Sequence, residues 1–189
     1  PWISAAIGWP STSAWRRPKI ASAPADRLRM LPASSSVAMP SLYSVALDNV
    51  EATVVDDENG EPKQLIVLSF NDTLNDRDIA SQVKLWLLPE AFVPSPQRKA
   101  DPDSDYQKTV PYPWSEGEVD AATLKAATPL RFELLPGERE WVETHTLRFE
   151  APPGRRLWLE MPKGLKSFGG FLLGQPQRRL LVVPDYPKL

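Results

Sequence analysis

The 189-residue sequence contains no cysteine, one histidine (His145) and only nine glycines, none of them arranged as a phosphate-cradling loop. Without cysteine there are no disulfides, no zinc–thiolate sites and no thiol nucleophile. A single imidazole without a second His, a Cys or a nearby nucleophile pattern gives neither a zinc site nor a catalytic triad. No stretch approaches the ~20 apolar residues of a membrane-spanning helix. The net charge of −2 lacks the clustered basic footprint of a nucleic-acid binder. The chain opens on Pro1 and shows no charged-then-apolar leader, so it reads as a fragment or a processed piece of something larger.

Proline, by contrast, is abundant. The 21 prolines are about twice what average usage gives, which forbids long helices and favours short strands with rigid connections. Six of them fall in residues 1–40, beside the serine run Ser34–Ser36 and five basic residues (Arg16, Arg17, Lys19, Arg27, Arg29) against the single acid Asp26. This stretch has no helical or strand period and reads as an extended, basic linker or arm. Trp2, Trp9 and Trp15 are unusual for a disordered linker. They suggest that the arm packs along a domain or is the exit of a neighbouring module. Trp15-Arg16-Arg17 reads first as part of a solvated arm, with contact to an anionic membrane surface as the alternative.

From residue 41 to 189 the pattern is that of a β-sandwich domain. Tyr43–Val55 alternates as Val45 and Leu47, then Val50, Ala52 and Val54, and the slip in parity at Asp48-Asn49 predicts a β-bulge. Asp57–Gly60 closes a hairpin, because Asn-Gly accepts the positive φ such turns require. Leu65–Phe70 is apolar on both faces and should lie centrally, with a polar turn at Asn71–Asp76. Val83–Leu88 is also apolar on both faces. A long polar excursion, Pro89–Pro113, follows and is either functional or mobile. Glu118–Ala127 is the one helix candidate. Further strands are expected at Leu130–Leu134, Trp141–Phe149, Leu157–Met161 and Leu180–Val183. The sum is an all-β, immunoglobulin-like antiparallel sandwich of two sheets and about seven strands, with one short helix and an extended N-terminal arm.

Few constellations suggest chemistry. Asp101, Asp103 and Asp105 place three carboxylates at alternate loop positions, an oxygen-rich spacing that suits calcium. The loop lacks the turn glycine and closing acid of known calcium loops, so the alternative is a solvated acidic loop. His145 reads as a strand histidine at the surface or the edge of the core. Trp86, Trp114, Trp141 and Trp158 are either core pieces or an aromatic platform for sugars.

Ala151–Glu160 runs into Lys163-Gly-Leu-Lys-Ser-Phe-Gly-Gly-Phe-Leu-Leu173, and the chain closes on Leu180-Leu-Val-Val-Pro-Asp-Tyr-Pro187. With Pro40-Ser-Leu-Tyr-Ser44 and Val83–Pro89, this wording resembles the bacterial alpha-2-macroglobulin-like proteins. More narrowly, it is similar to a macroglobulin-type sandwich domain from their N-terminal half, over Pro40–Leu189. The resemblance implies a large periplasmic parent, often lipid-anchored to the inner membrane, that traps proteases and defends the envelope. Some members capture proteases through a Cys–Gln thioester in a separate domain, which a chain without cysteine cannot hold. No functional residue of the family maps onto this sequence.

The expectation is therefore a non-enzymatic structural and interaction module with no cofactor. Its partners would be neighbouring domains of the parent, target proteases or other envelope proteins. Trp15, Tyr112 and Trp114 are the expected contact residues. The alternative is a carbohydrate-binding module of an extracellular enzyme, using a tryptophan platform. A hydrolase on a sandwich scaffold ranks last, because no acid pair or activated nucleophile stands out.

Overall fold

The alternation in the sequence converts directly into two packed sheets. The computed structural model describes residues 41–137 and 139–186. The basic arm expected at 1–40, with Trp15, lies outside the described residues. One sheet contains β1 (Leu47–Asp56), β2 (Pro62–Asn75), β5 (Phe132–Leu135) and β6 (Trp141–Phe149) in the order β1-β2-β6-β5. The other contains β3 (Lys84–Leu87), β4 (Thr128–Pro129), β7 (Arg156–Met161) and β8 (Gln177–Val182) in the order β4-β3-β7-β8. All these pairings are antiparallel, as expected of an all-β two-sheet sandwich. Eight strands form rather than about seven, because Thr128–Pro129 adds a two-residue strand against Leu87 and Trp86.

β2 is central in its sheet, as its apolar run requires. Its inward residues Gln64, Ile66, Leu68 and Phe70 are buried while Leu65, Val67 and Ser69 are half-covered. Ile66 and Leu68 stand opposite Leu147 and His145 of β6, and their side chains meet Leu85, Leu157, Leu159 and Met161 from the second sheet in one core. Each fully buried aliphatic side chain there contributes about 1.5–3 kcal/mol of transfer free energy. The expected bulge appears where β1 shifts register between Leu47 and Asn49. The expected hairpin closes at Gly60, whose φ is +76°, with Asp57 Oδ1 accepting the N–H groups of Asn59 and Glu61 at 2.9 Å.

Two local expectations need correction. Asn71–Asp76 is not a turn: β2 runs on to Asn75 across a register shift between Ser69 and Leu74. The side chain of Asn71 occupies this irregular stretch, accepting from Ala46 N–H and donating to Ser44 C=O, both at 2.8 Å. Helix α1 (Asp76–Gln82) follows at once, capped by Asn75 and carrying Asp76 and Asp78 in its first turn, where the helix dipole favours acids. The helix expected over Glu118–Ala127 is realised only as a 3-10 turn at Glu116–Glu118 and a short helix at Ala121–Ala126. Asp120 caps the latter by accepting Thr123 N–H at 2.9 Å. A four-residue helix, Asp105–Lys108, was not foreseen.

Candidate interaction surface

The two ends of the Pro89–Pro113 excursion pack against the second sheet, while its middle, from Lys99 to Pro111, is largely exposed. β3 carries Trp86 on the face pointing away from the main core, directly opposite Trp158 of β7, which in turn faces Leu180 of β8. This aromatic row needs a cover, and the excursion supplies it. Leu88, Tyr112, Trp114 and Trp158 form a second buried cluster, flanked by Trp86, Phe92, Val93, Leu124 and Leu180.

Tyr112 and Trp114, expected as exposed contact residues, are each only 2% exposed. Their polar atoms are satisfied internally. Tyr112 donates its hydroxyl to Glu118 Oε1 at 2.8 Å, and Trp114 donates Nε1–H to Pro89 C=O at 2.7 Å. The two rings meet edge to face at 4.7 Å. Both therefore hold the excursion on the second sheet and present no contact surface.

Arg98 organises the same region. Its guanidinium donates to Val93 C=O at 3.1 Å, to Thr123 Oγ1 at 2.9 Å and to Glu118 C=O, and lies 3.6 Å from Asp120. Phe92 and Trp114 flank it as cation–π partners at 5.6 and 5.1 Å. The electrostatics follow. The Ser95 hydroxyl, Thr123 and the Arg98 charge draw the Asp120 carboxyl down to about 2. Burial raises the Glu118 carboxyl, but hydrogen bonds from Ser115 and Tyr112 with the Arg98 charge more than offset this, leaving it lowered. Burial, reinforced by Glu118, pushes the Tyr112 phenol well above its usual range.

His145 is buried, not at a surface or core edge, because it shares strand parity with Leu147 and Phe149. Its Nδ1 stands 2.8 Å from Asp76 Oδ1, while its Nε2 has no hydrogen-bond partner among the described residues. Burial lowers its pKa despite that carboxylate, and the Nδ1–Asp76 contact suits a ring whose Nδ1–H donates to the carboxylate. Nucleophile chemistry needs more than this pair. Asp101, Asp103 and Asp105 are all exposed. Asp101 spends its carboxylate on Asp103 N–H at 3.0 Å, and no group of three metal-ligating side chains occurs among the described residues. Trp114 and Trp158 are buried, so the four tryptophans form no exposed coplanar platform.

What remains outside is modest. An open groove of about 650 Å³ is lined by Tyr43, Lys163, Gly164, Leu172, Leu173 and Gly174. The turn after Leu165 carries Phe168, 72% exposed, against Trp141. Sequence reasoning missed Phe168 because a Phe-Gly-Gly segment reads as a turn, not as a contact.

Comparison with known proteins gives the context. No family model matches the chain. Over 152 residues it is 32% identical to an alpha-2-macroglobulin homolog of Yersinia pestis, covering 80% of this chain and 7% of that protein. Over 158 residues it is 27% identical to an alpha-2-macroglobulin of Rickettsia conorii, covering 81% of this chain and 8% of the relative. The chain thus spans less than a tenth of the length of these curated relatives. Among solved structures, native alpha-2-macroglobulin from Escherichia coli spanning domains MG0-NIE-MG1 aligns with a TM-score of 0.41 at 16% identity, over 75% of this chain and 32% of that one.

Proposed function

We propose that this chain, alpha-2-macroglobulin-like in sequence over four fifths of its length, is a non-enzymatic packing module of a much longer bacterial protein. In this reading the parent entraps proteases in the periplasm, is anchored to the inner membrane, and defends the envelope. The module's own contribution is mechanical: a rigid sandwich that holds its neighbours at fixed positions. The sequence likeness to the two bacterial relatives is the observation that carries the proposal. The internal use of the aromatic residues supports it, since Tyr112, Trp114 and Trp158 are committed to self-packing.

The test is deletion within the longer protein that carries the sequence. In this reading a protease enclosed by the intact parent is expected to keep activity on small peptides, which diffuse in, and to lose it on large proteins, which are shut out. Removing residues 41–189 is expected to restore cleavage of large substrates, and the isolated chain is expected to neither cleave nor inhibit. Unchanged trapping by the deleted parent would refute the mechanical role. Sorting of the parent to the cytoplasm on cell fractionation would refute the envelope placement.

A further inference from the structure

Phe168 is the most exposed large apolar side chain among the described residues, yet the turn that carries it is closely hydrogen-bonded. Its own N–H donates to Thr73 C=O at 3.0 Å, tying the turn to β2. Ser167, 1% exposed, donates its N–H to Phe171 C=O at 2.9 Å and accepts from Gly170 N–H through its carbonyl at 2.9 Å. Its hydroxyl accepts from Phe171 N–H at 3.2 Å. Gly170 holds φ at +85°, a conformation that side chains resist, and a Cβ on Gly169 would stand 3.1 Å from the Phe171 ring. The Phe168 ring meets the half-buried Trp141 edge to face at 5.5 Å. Two glycines, a buried serine and a tryptophan thus hold one phenylalanine out in water, with its binding conformation already set.

We propose that Phe168, backed by Trp141, is the anchor by which this module seats in an apolar pocket of an adjoining domain of the same polypeptide. This rests on the packing-module reading above. The size of the feature selects the partner. A free partner or a second copy needs roughly 1,200–2,000 Å² of buried surface, which one Phe and half a Trp cannot supply. Their neighbours Arg139, Glu140, Glu143 and Lys166 are exposed and charged, so the apolar patch does not extend. A covalently linked partner arrives at high effective concentration, where a single preorganised aromatic is enough. The relatives, of which this chain covers 7–8%, leave ample polypeptide to provide the pocket.

The test places a photo-cross-linking phenylalanine analogue at position 168 of the protein as the cell makes it, with a control at Thr53 on the outer face of the first sheet. Cross-linked peptides are then read by mass spectrometry. The expected product from 168 joins residues of the same polypeptide outside 1–189. Gly170→Ala, which strains the tip, should cut its yield roughly fivefold. Capture of a second copy or of an unrelated protein overturns the assignment. So does silence at 168 when position 53 still cross-links within the polypeptide. If neither position yields any product within the polypeptide, both the anchor and the packing-module reading fail together.

Discussion

The guanidinium carbon of Arg98 lies 5.1 Å from the Trp114 ring centroid while the same group bonds Val93 C=O and Thr123 Oγ1. One side chain thereby ties the start of the excursion to Trp114 just past its end and to the Glu118–Thr123 segment that follows. Removing it leaves buried acceptors unpaired, so Arg98→Ala is expected to cost about 2–4 kcal/mol. Arg98→Lys should recover less than half of that, because an ammonium cannot reproduce the planar fork or the ring contact. Urea unfolding decides: a lysine variant as stable as the original chain would show that charge alone matters.

Trp114 and Tyr112 act on stability. Trp114→Ala is expected to destabilise by about 3–5 kcal/mol, through lost transfer free energy and the cavity left behind. Tyr112→Phe keeps the ring and removes only the hydroxyl that bonds Glu118, costing about 1–2 kcal/mol. Calorimetric melting of the two variants separates packing from hydrogen bonding; unchanged melting of Trp114→Ala would contradict the burial described.

Acidification should weaken the fold in two stages. The folded His145 binds its proton less readily than a free imidazole near 6.5. Below that pH the unfolded chain therefore holds more protons, and stability falls as pH drops toward the folded value. Asp120, lowered from 3.8 to about 2, contributes stability that is complete above 3.8 and lost as pH falls through about 2. His145→Gln should flatten the first stage and Asp120→Asn the second. A slope below pH 6.5 that persists in His145→Gln would assign it to another group.

Gln64, 1% exposed, clamps the connection after β6 with a paired bond. Its amide nitrogen donates to Ala151 C=O at 2.9 Å and its oxygen accepts Ala151 N–H at 2.8 Å. Gln64→Glu keeps the shape but sets a carboxylate against a carbonyl, an expected loss of about 2–3 kcal/mol at neutral pH. Protonating the glutamate restores the donor. Burial against a carbonyl raises its pKa above the free value of about 4.3, so the gap to the original chain should narrow as pH falls toward that value. A gap independent of pH would mean the loss is steric.

The strands were legible because period-two alternation survives in β1 and β6, because β2 and β7 are short apolar runs bounded by turn residues, and because the bulge at Asp48-Asn49 showed as a slip of parity. The excursion was illegible for the opposite reason. Its apolar residues, Phe92 and Tyr112, and Trp114 just beyond it are separated by prolines and acids with no period, so they look like a surface. The signal that could have exposed it lay elsewhere: Trp86 and Leu88 alternate with Leu85 and Leu87, and a strand apolar on both faces needs a cover on each. His145 was equally readable, two residues before Leu147 and four before Phe149. The Asp76 partner was not, because it comes from an element 69 residues away.

The pairing of β3 with β7 has a consequence for synthesis. Lys84 meets Glu160 and Leu87 meets Leu157, so the second sheet cannot close until the ribosome has delivered more than seventy further residues. The β1–β2 hairpin is local and can form early, but its inward row of Ile66, Leu68 and Phe70 then faces water until β6, β7 and β8 arrive. Contacts this distant in sequence fold slowly and expose strand edges meanwhile. The nascent chain is therefore most vulnerable to aggregation after β2 has emerged and before β7 and β8 follow, and a holding chaperone would meet it on that row.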